Sequence, residues 1–88
     1  MDEQDYPVTI YTTRLCGFCH AAKRFFKQQG IPFKEVPADG NAQLREELRE
    51  RTGQHTVPQI WINDHHIGGF TDLMELESQG GLQDLLKQ

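Results

Sequence analysis

Val8-Thr9-Ile10-Tyr11-Thr12, then Thr13-Arg14-Leu15, then Cys16-Gly17-Phe18-Cys19-His20-Ala21-Ala22-Lys23-Arg24-Phe25-Phe26-Lys27 sets two patterns of different period side by side. Its first run is β-branched and aromatic and reads as a short strand. From Phe18 the apolar residues are Phe18, Ala21, Ala22, Phe25 and Phe26, the i, i+3, i+4, i+7, i+8 spacing of one buried helix face. Lys27 stands where a cation suits a helix C-terminus, and Gly30 with Pro32 stops the helix. A pair of cysteines therefore lies where a strand gives way to a helix.

Beyond this helix, Phe33-Lys34-Glu35-Val36 reads as a second strand before Pro37. A second helix is expected over Ala42 to Arg51, with Leu44 and Leu48 inward, Gly53 at its end and Glu47–Arg51 as an i, i+4 ion pair. Gln59-Ile60-Trp61-Ile62, the turn Asn63-Asp64 and His65-His66-Ile67 form a hairpin. Asp72 is expected to cap a third helix, with Glu75 as its partner and Leu73, Met74 and Leu76 on the apolar side. Leu82, Leu85 and Leu86 suggest a short final helix after Gly80-Gly81. A β-α-β unit requires a parallel strand pair, and the hairpin adds antiparallel strands. The expected architecture is α/β, a mixed sheet flanked by helices.

The 88 residues amount to one domain, 1–88, with a short N-terminal extension over 1–6. Nine Lys+Arg against thirteen Asp+Glu give a net charge of −4, which argues against a nucleic-acid binder. No apolar run approaches the roughly 20 residues of a membrane helix. Met1-Asp2-Glu3-Gln4-Asp5 is acidic where a secretion signal is basic, so a cytoplasmic location is expected.

Cys16 and Cys19 are too close together for a disulfide between them to staple distant parts of the chain. At the head of a helix, free N–H groups and the dipole favour an anion, so Cys16 is expected to ionise more readily than a free thiol. Arg14 is placed to add positive charge. Cys19, one turn on, is within reach of a mixed disulfide on Cys16 and can resolve it. Three other readings compete. Two inert buried cysteines would need no strand–helix junction. Zinc would need further ligands, and His20, His55, His65 and His66 lack finger-like spacing. Cys19-His20 completes a haem c attachment signature, but that attachment takes place outside the cytoplasm. No catalytic role is expected for His20, His65, His66 or Trp61.

Three motifs together resemble the dithiol glutaredoxins: Cys16-Gly17-Phe18-Cys19, Thr56-Val57-Pro58, and Gly68-Gly69-Phe70-Thr71-Asp72. The resemblance spans essentially the whole chain and implies the thioredoxin fold, with a mixed four-stranded sheet. It implies a glutathione-dependent thiol–disulfide oxidoreductase acting on disulfide-containing or glutathionylated proteins. Cys16 would be the nucleophile and Cys19 the resolving thiol. Glutathione would be both reductant and ligand, held by Arg14, Arg45, Thr56, Val57, Pro58, Thr71 and Asp72. Pro58 would follow a cis bond, exposing the Val57 backbone to pair with glutathione as an added strand. The start of the third helix would take the γ-glutamyl carboxylate and Asp72 its ammonium group. Arg45 would contact the glycine carboxylate.

Two departures stand out. Gly17-Phe18 replaces the Pro-Tyr common between the cysteines, and Thr13 occupies a position where many members carry Lys, leaving Arg14 as the nearby cation. Gly17 also opens an alternative, a [2Fe–2S] cluster bridging two subunits through Cys16 and glutathione. Ser commonly replaces Cys19 in such members, and they carry an extra loop. Outside that case a monomer is expected, with no metal, nucleic acid or membrane partner.

Overall fold

A computed structural model describes residues 6–87. Apart from Tyr6, the expected N-terminal extension over 1–6 lies outside the described residues. The chain runs β1 (Val8–Thr12), α1 (Gly17–Gln28), β2 (Phe33–Pro37), α2 (Ala42–Thr52), β3 (Gln59–Ile62), β4 (His65–Gly68), α3 (Phe70–Ser78) and α4 (Gly81–Leu86). The strands form one sheet in the order β2-β1-β3-β4. β1 pairs in parallel with β2 and antiparallel with β3, and β4 returns antiparallel to β3. This is the mixed sheet that the sequence implies. Pro37 extends β2 by one residue beyond expectation, which the ladder tolerates because β2 is an edge strand.

Alternation along the strands decides what each sheet face meets. Val8 and Ile10 of β1 and Ile60 and Ile62 of β3 point to one side, where they pack with Ala22 and Phe26 of α1, Leu73 of α3 and Leu82 of α4. Phe26 is fully buried and touches the rings of Phe25 and Phe33. Truncating such a side chain to Ala costs about 3–5 kcal/mol. The opposite face carries Tyr11 and Trp61, whose rings meet edge to face at 5.4 Å. There the Arg51 guanidinium of α2 lies 4.4 Å from the Trp61 ring centre.

Three local expectations are corrected. Phe18 is 62% exposed, and the buried face of α1 runs through Cys19, Ala22 and Phe26 instead. Standing in the first turn, Phe18 meets Phe70 of α3, ring centres 6.0 Å apart, rather than the sheet. The third helix starts earlier than expected. Gly69 is its N-cap, and Asp72 sits one turn in, accepting the Gly69 N–H at 2.9 Å. A carboxylate at that position reaches back to the cap N–H just as well as it caps forward, so Asp72 serves as partner rather than cap. On α2, Arg51 covers Trp61 in place of the expected pair with Glu47, and the ion pair on this helix joins Glu46 to Arg49 at 2.7 Å. A cation over an indole face gains more than an exposed i, i+4 pair. The end of α2 is as expected, with Gly53 left-handed (φ 72°) and its N–H on the Arg49 carbonyl at 2.8 Å.

Candidate active site

Cys16 is the N-cap of α1. Its backbone is extended (φ −130°, ψ 106°) and its sulfur accepts the Cys19 N–H at 3.1 Å. The first turn of α1 carries no acidic residue, so the positive end of the helix faces the sulfur without competition. The two cysteines are joined as a disulfide. Cys16 is half-buried and Cys19 has no exposed surface. Cys19 is therefore covered, while Cys16 is reached from outside. At Gly17 a Cβ would meet nothing, and the extended Cys16 backbone suits a following proline; glycine here is a departure the geometry does not demand.

The loop before the cysteines is held from both sides. The Arg14 N–H donates to Asp39 Oδ1 at 3.0 Å, and the Arg14 carbonyl accepts from His20 Nε2 at 2.9 Å. Below it, the Thr12 hydroxyl donates to Glu35 Oε2 at 2.6 Å, and Lys23 Nζ reaches the same oxygen at 3.0 Å. Burial is the largest single influence on the Glu35 carboxyl and opposes its ionisation. The Thr12 and Lys23 hydrogen bonds, with the charges of Lys23 and His20, outweigh it and hold the group below its ordinary range.

Cys16 Sγ lies 3.5 Å from the Val57 carbonyl oxygen. Val57 belongs to the wall of an open cleft of about 270 Å³, and the Val57–Pro58 bond is cis. Thr56, Val57 and Pro58 form one side of this cleft, Gly69, Phe70, Thr71 and Asp72 the other, with Phe18 and Gln54 completing it. Gly68 is required where β4 meets α3. Its φ of +112° lies in the glycine region, and a Cβ there would come within 2.5 Å of the Asp72 carboxylate.

Five of the residues expected at the site, Thr56, Val57, Pro58, Thr71 and Asp72, thus line one cleft, with the disulfide against its edge through Val57. Arg14 and Arg45 are not among its lining residues. The Arg14 side chain is 89% exposed and faces Asp39, Nε to Oδ1 at 3.8 Å. Arg45 donates from Nη2 to the His55 carbonyl at 3.3 Å, at the margin of the same loop. Phe18 and Gln54 were missed. Phe18's place between the cysteines was a usable signal, since a side chain there must stand near the sulfurs, but nothing in the sequence marked Gln54. Among the described residues no group of three or more His, Cys, Asp or Glu is arranged to hold a metal ion.

A family model described as Glutaredoxin matches residues 8–67. The chain is 51% identical to Glutaredoxin 3 of Escherichia coli over 80 residues, covering 91% of this chain and 96% of that one. It is 48% identical to a glutaredoxin of Pseudomonas aeruginosa over 80 residues, covering 91% and 95%. A crystal structure of a buckwheat glutaredoxin–glutathione complex superposes with a TM-score of 0.86 at 30% identity, over 94% of this chain and 78% of that one. The solution structure of a Brucella melitensis glutaredoxin gives 0.82 at 43% identity, over 93% and 89%. The family match reaches from β1 into β4 and takes in both cysteines and the cis-proline loop. Sequence and architecture thus agree along nearly the whole chain, which has the thioredoxin fold and belongs to the glutaredoxin family.

Proposed function

We propose that this glutaredoxin uses glutathione to reduce protein–glutathione mixed disulfides and protein disulfides. The observation that carries the reading is the contact between Cys16 Sγ and the Val57 carbonyl, which sets the sulfur at the edge of a cleft. At about 270 Å³ and open to solvent, that cleft suits a short peptide laid along a surface rather than an enclosed ligand. Glutathione bound to the buckwheat relative supports the choice of peptide.

In the reduced protein the Cys19 N–H and the α1 dipole stabilise a Cys16 thiolate. The thiolate attacks the glutathione sulfur of a mixed disulfide. That S–S bond breaks, its electron pair leaves with the protein sulfur, and the protein thiolate takes a proton from water. Cys16 now carries glutathione. A second glutathione thiolate attacks the glutathione sulfur of this adduct, releasing oxidised glutathione and restoring the Cys16 thiolate. With a protein disulfide, Cys16 attacks first and the Cys19 thiolate then attacks Cys16 Sγ. The reduced substrate departs, and two glutathiones reduce the resulting Cys16–Cys19 bond. Thr71 and Asp72 offer a helix terminus and a carboxylate to the two charges of the γ-glutamyl end. Arg45 or Arg14 would reach the glycine end by turning from its present partner.

A [2Fe–2S] cluster between two subunits is the alternative. This chain would supply one ligand, Cys16, with glutathione and a second copy supplying the others. Anaerobic reconstitution with iron, sulfide and glutathione that yields neither colour nor dimer removes it. No described helix is long and apolar enough to cross a membrane, and a glutathione-rich cytoplasm is the setting this chemistry suits.

The reductase reading is tested by comparing Cys16→Ser and Cys19→Ser, with glutathione and glutathione reductase supplying electrons. Cys16→Ser should lower both activities on the order of a thousandfold or more, as loss of a nucleophile does. Cys19→Ser should spare reduction of a glutathionylated peptide and impair reduction of a protein disulfide. Equal loss in the two variants contradicts the assigned roles, and turnover supported by thioredoxin reductase alone contradicts the choice of glutathione.

A further inference from the structure

Gln59 opens β3 with no exposed surface, one of two buried polar side chains among the described residues. A buried amide is costly unless each of its polar atoms finds a partner. Here they all do. Gln59 Nε2 donates to Gln54 Oε1 at 2.9 Å and to the Thr56 carbonyl at 3.0 Å. Its Oε1 lies 2.8 Å from His66 Nε2, which must be the donor because an amide oxygen only accepts. His66 in turn rests against the Trp61 ring, centres 4.7 Å apart.

The partners give this amide a task beyond filling space. Gln54 and Thr56 both line the cleft, and Thr56 directly precedes the cis Val57–Pro58 bond. A leucine would fill a similar volume with nothing to satisfy, yet could hold neither group. We infer that Gln59 is a positioning residue for the glutathione cleft. It fixes the Thr56 carbonyl and the Gln54 side chain, and so the face that Val57 presents to the peptide. His66 anchors it from the other side by setting which way round the amide lies. The role rests on the reading of the cleft as a glutathione site. It concerns how tightly a glutathione moiety is held, not the sulfur chemistry, so its signature is a change in KM at nearly constant kcat.

The test measures KM and kcat for reduction of a glutathionylated peptide by the full chain, with glutathione and glutathione reductase. Gln59→Leu should raise KM about fivefold, one hydrogen bond's net contribution, with kcat changed less than about twofold. His66→Phe keeps a ring against Trp61 but removes the donor, and should raise KM about twofold. Gln59→Glu separates positioning from mere packing. Its introduced carboxylate can donate to the Thr56 carbonyl only while protonated, and that carbonyl, unlike the Gln54 amide, cannot turn into a donor. The ratio of its KM to that of the wild type should therefore climb from about pH 5.5 to 8, the span in which a buried carboxyl loses its proton. If Gln59→Leu fails to fold, the other two variants carry the test.

A KM within twofold of wild type for Gln59→Leu, or a flat ratio for Gln59→Glu, overturns the proposal. The backbone amide resonances of Thr56 and Val57 supply a readout that needs no activity. They should move in Gln59→Leu, and unmoved resonances overturn the positioning role whatever the enzyme does. A wild type that shows no saturable dependence on the glutathionylated peptide overturns the glutathione reading instead, and with it the role in glutathione binding.

Discussion

Two helices begin near the same cleft, and their first turns are built oppositely. α1 is capped by Cys16, whose sulfur takes the Cys19 N–H, and its first turn holds no acidic residue. α3 is capped by Gly69, which has no side chain to offer, and its first turn holds Asp72, whose carboxylate takes the Gly69 N–H. The same electropositive helix end is left open to a sulfur in one case and furnished with a carboxylate in the other. A carboxylate in the first turn of α1 would compete for the field that a Cys16 thiolate needs. On α3 the carboxylate secures the cap and gives the cleft its negative group, beside N–H groups that suit an anion. In the proposed function, the first helix start serves the sulfur chemistry and the second the charge of the ligand.

The largest way to break this contrast, short of removing a cysteine, lies at Gly68. An added methyl meets both a left-handed backbone and the Asp72 carboxylate. Gly68→Ala should lower stability by about 1–3 kcal/mol, read as a fall in Tm of several degrees. If Asp72 is the ligand's charge partner, KM for the glutathionylated peptide should rise with it.

Asp72→Asn is the gentler cut. An amide oxygen still accepts the Gly69 N–H, so the cap survives while the charge goes. With Asp72 exposed, the lost pairing should raise KM about two- to fivefold, with Tm moving little. A KM equal to the wild type would leave α3 as a plain helix start and end the comparison.

The smallest effect belongs to the support under α1. Because Thr12 and Lys23 hold the folded Glu35 carboxyl below its ordinary 4.5, its contribution to stability is full above that pH. The contribution is lost as pH falls through the lower folded value. Glu35 is 37% exposed and the pair with Lys23 correspondingly screened, so the effect stays under about 1 kcal/mol. Glu35→Gln should make the acid side of the stability–pH curve shallower. An unchanged slope would mean that Glu35 does not anchor α1.

What could be read from the sequence was what local spacing dictates. The β1–α1 junction, the hairpin and the end of α2 at Gly53 all follow from residue type and period, and they position the cysteines. The start of α3 was misplaced because an aspartate satisfies a helix start equally well as cap or three residues in. Helical periodicity puts Phe18 in the core because it cannot tell a first turn that meets the sheet from one that meets another helix. The cis bond at Pro58 came from resemblance alone, since a proline opening a strand looks ordinary. Gln59 was invisible for a different reason. Glutamine is usually exposed, and its three partners meet only once the hairpin and the loop after α2 have folded together.

In the proposed reaction, α1 makes Cys16 the reactive thiolate and leaves Cys19 as the covered resolving thiol. The most direct test is the rate at which iodoacetamide modifies each cysteine of the reduced protein, followed by mass spectrometry from acid to alkaline pH. Cys16 should react first, with a rate that reaches half its maximum well below the value of about 8.5 expected for a free thiol. Cys19, with no exposed surface, should lag far behind. Modification of Cys19 as fast as Cys16, or a Cys16 rate that rises only at about pH 8.5 or above, would contradict the account.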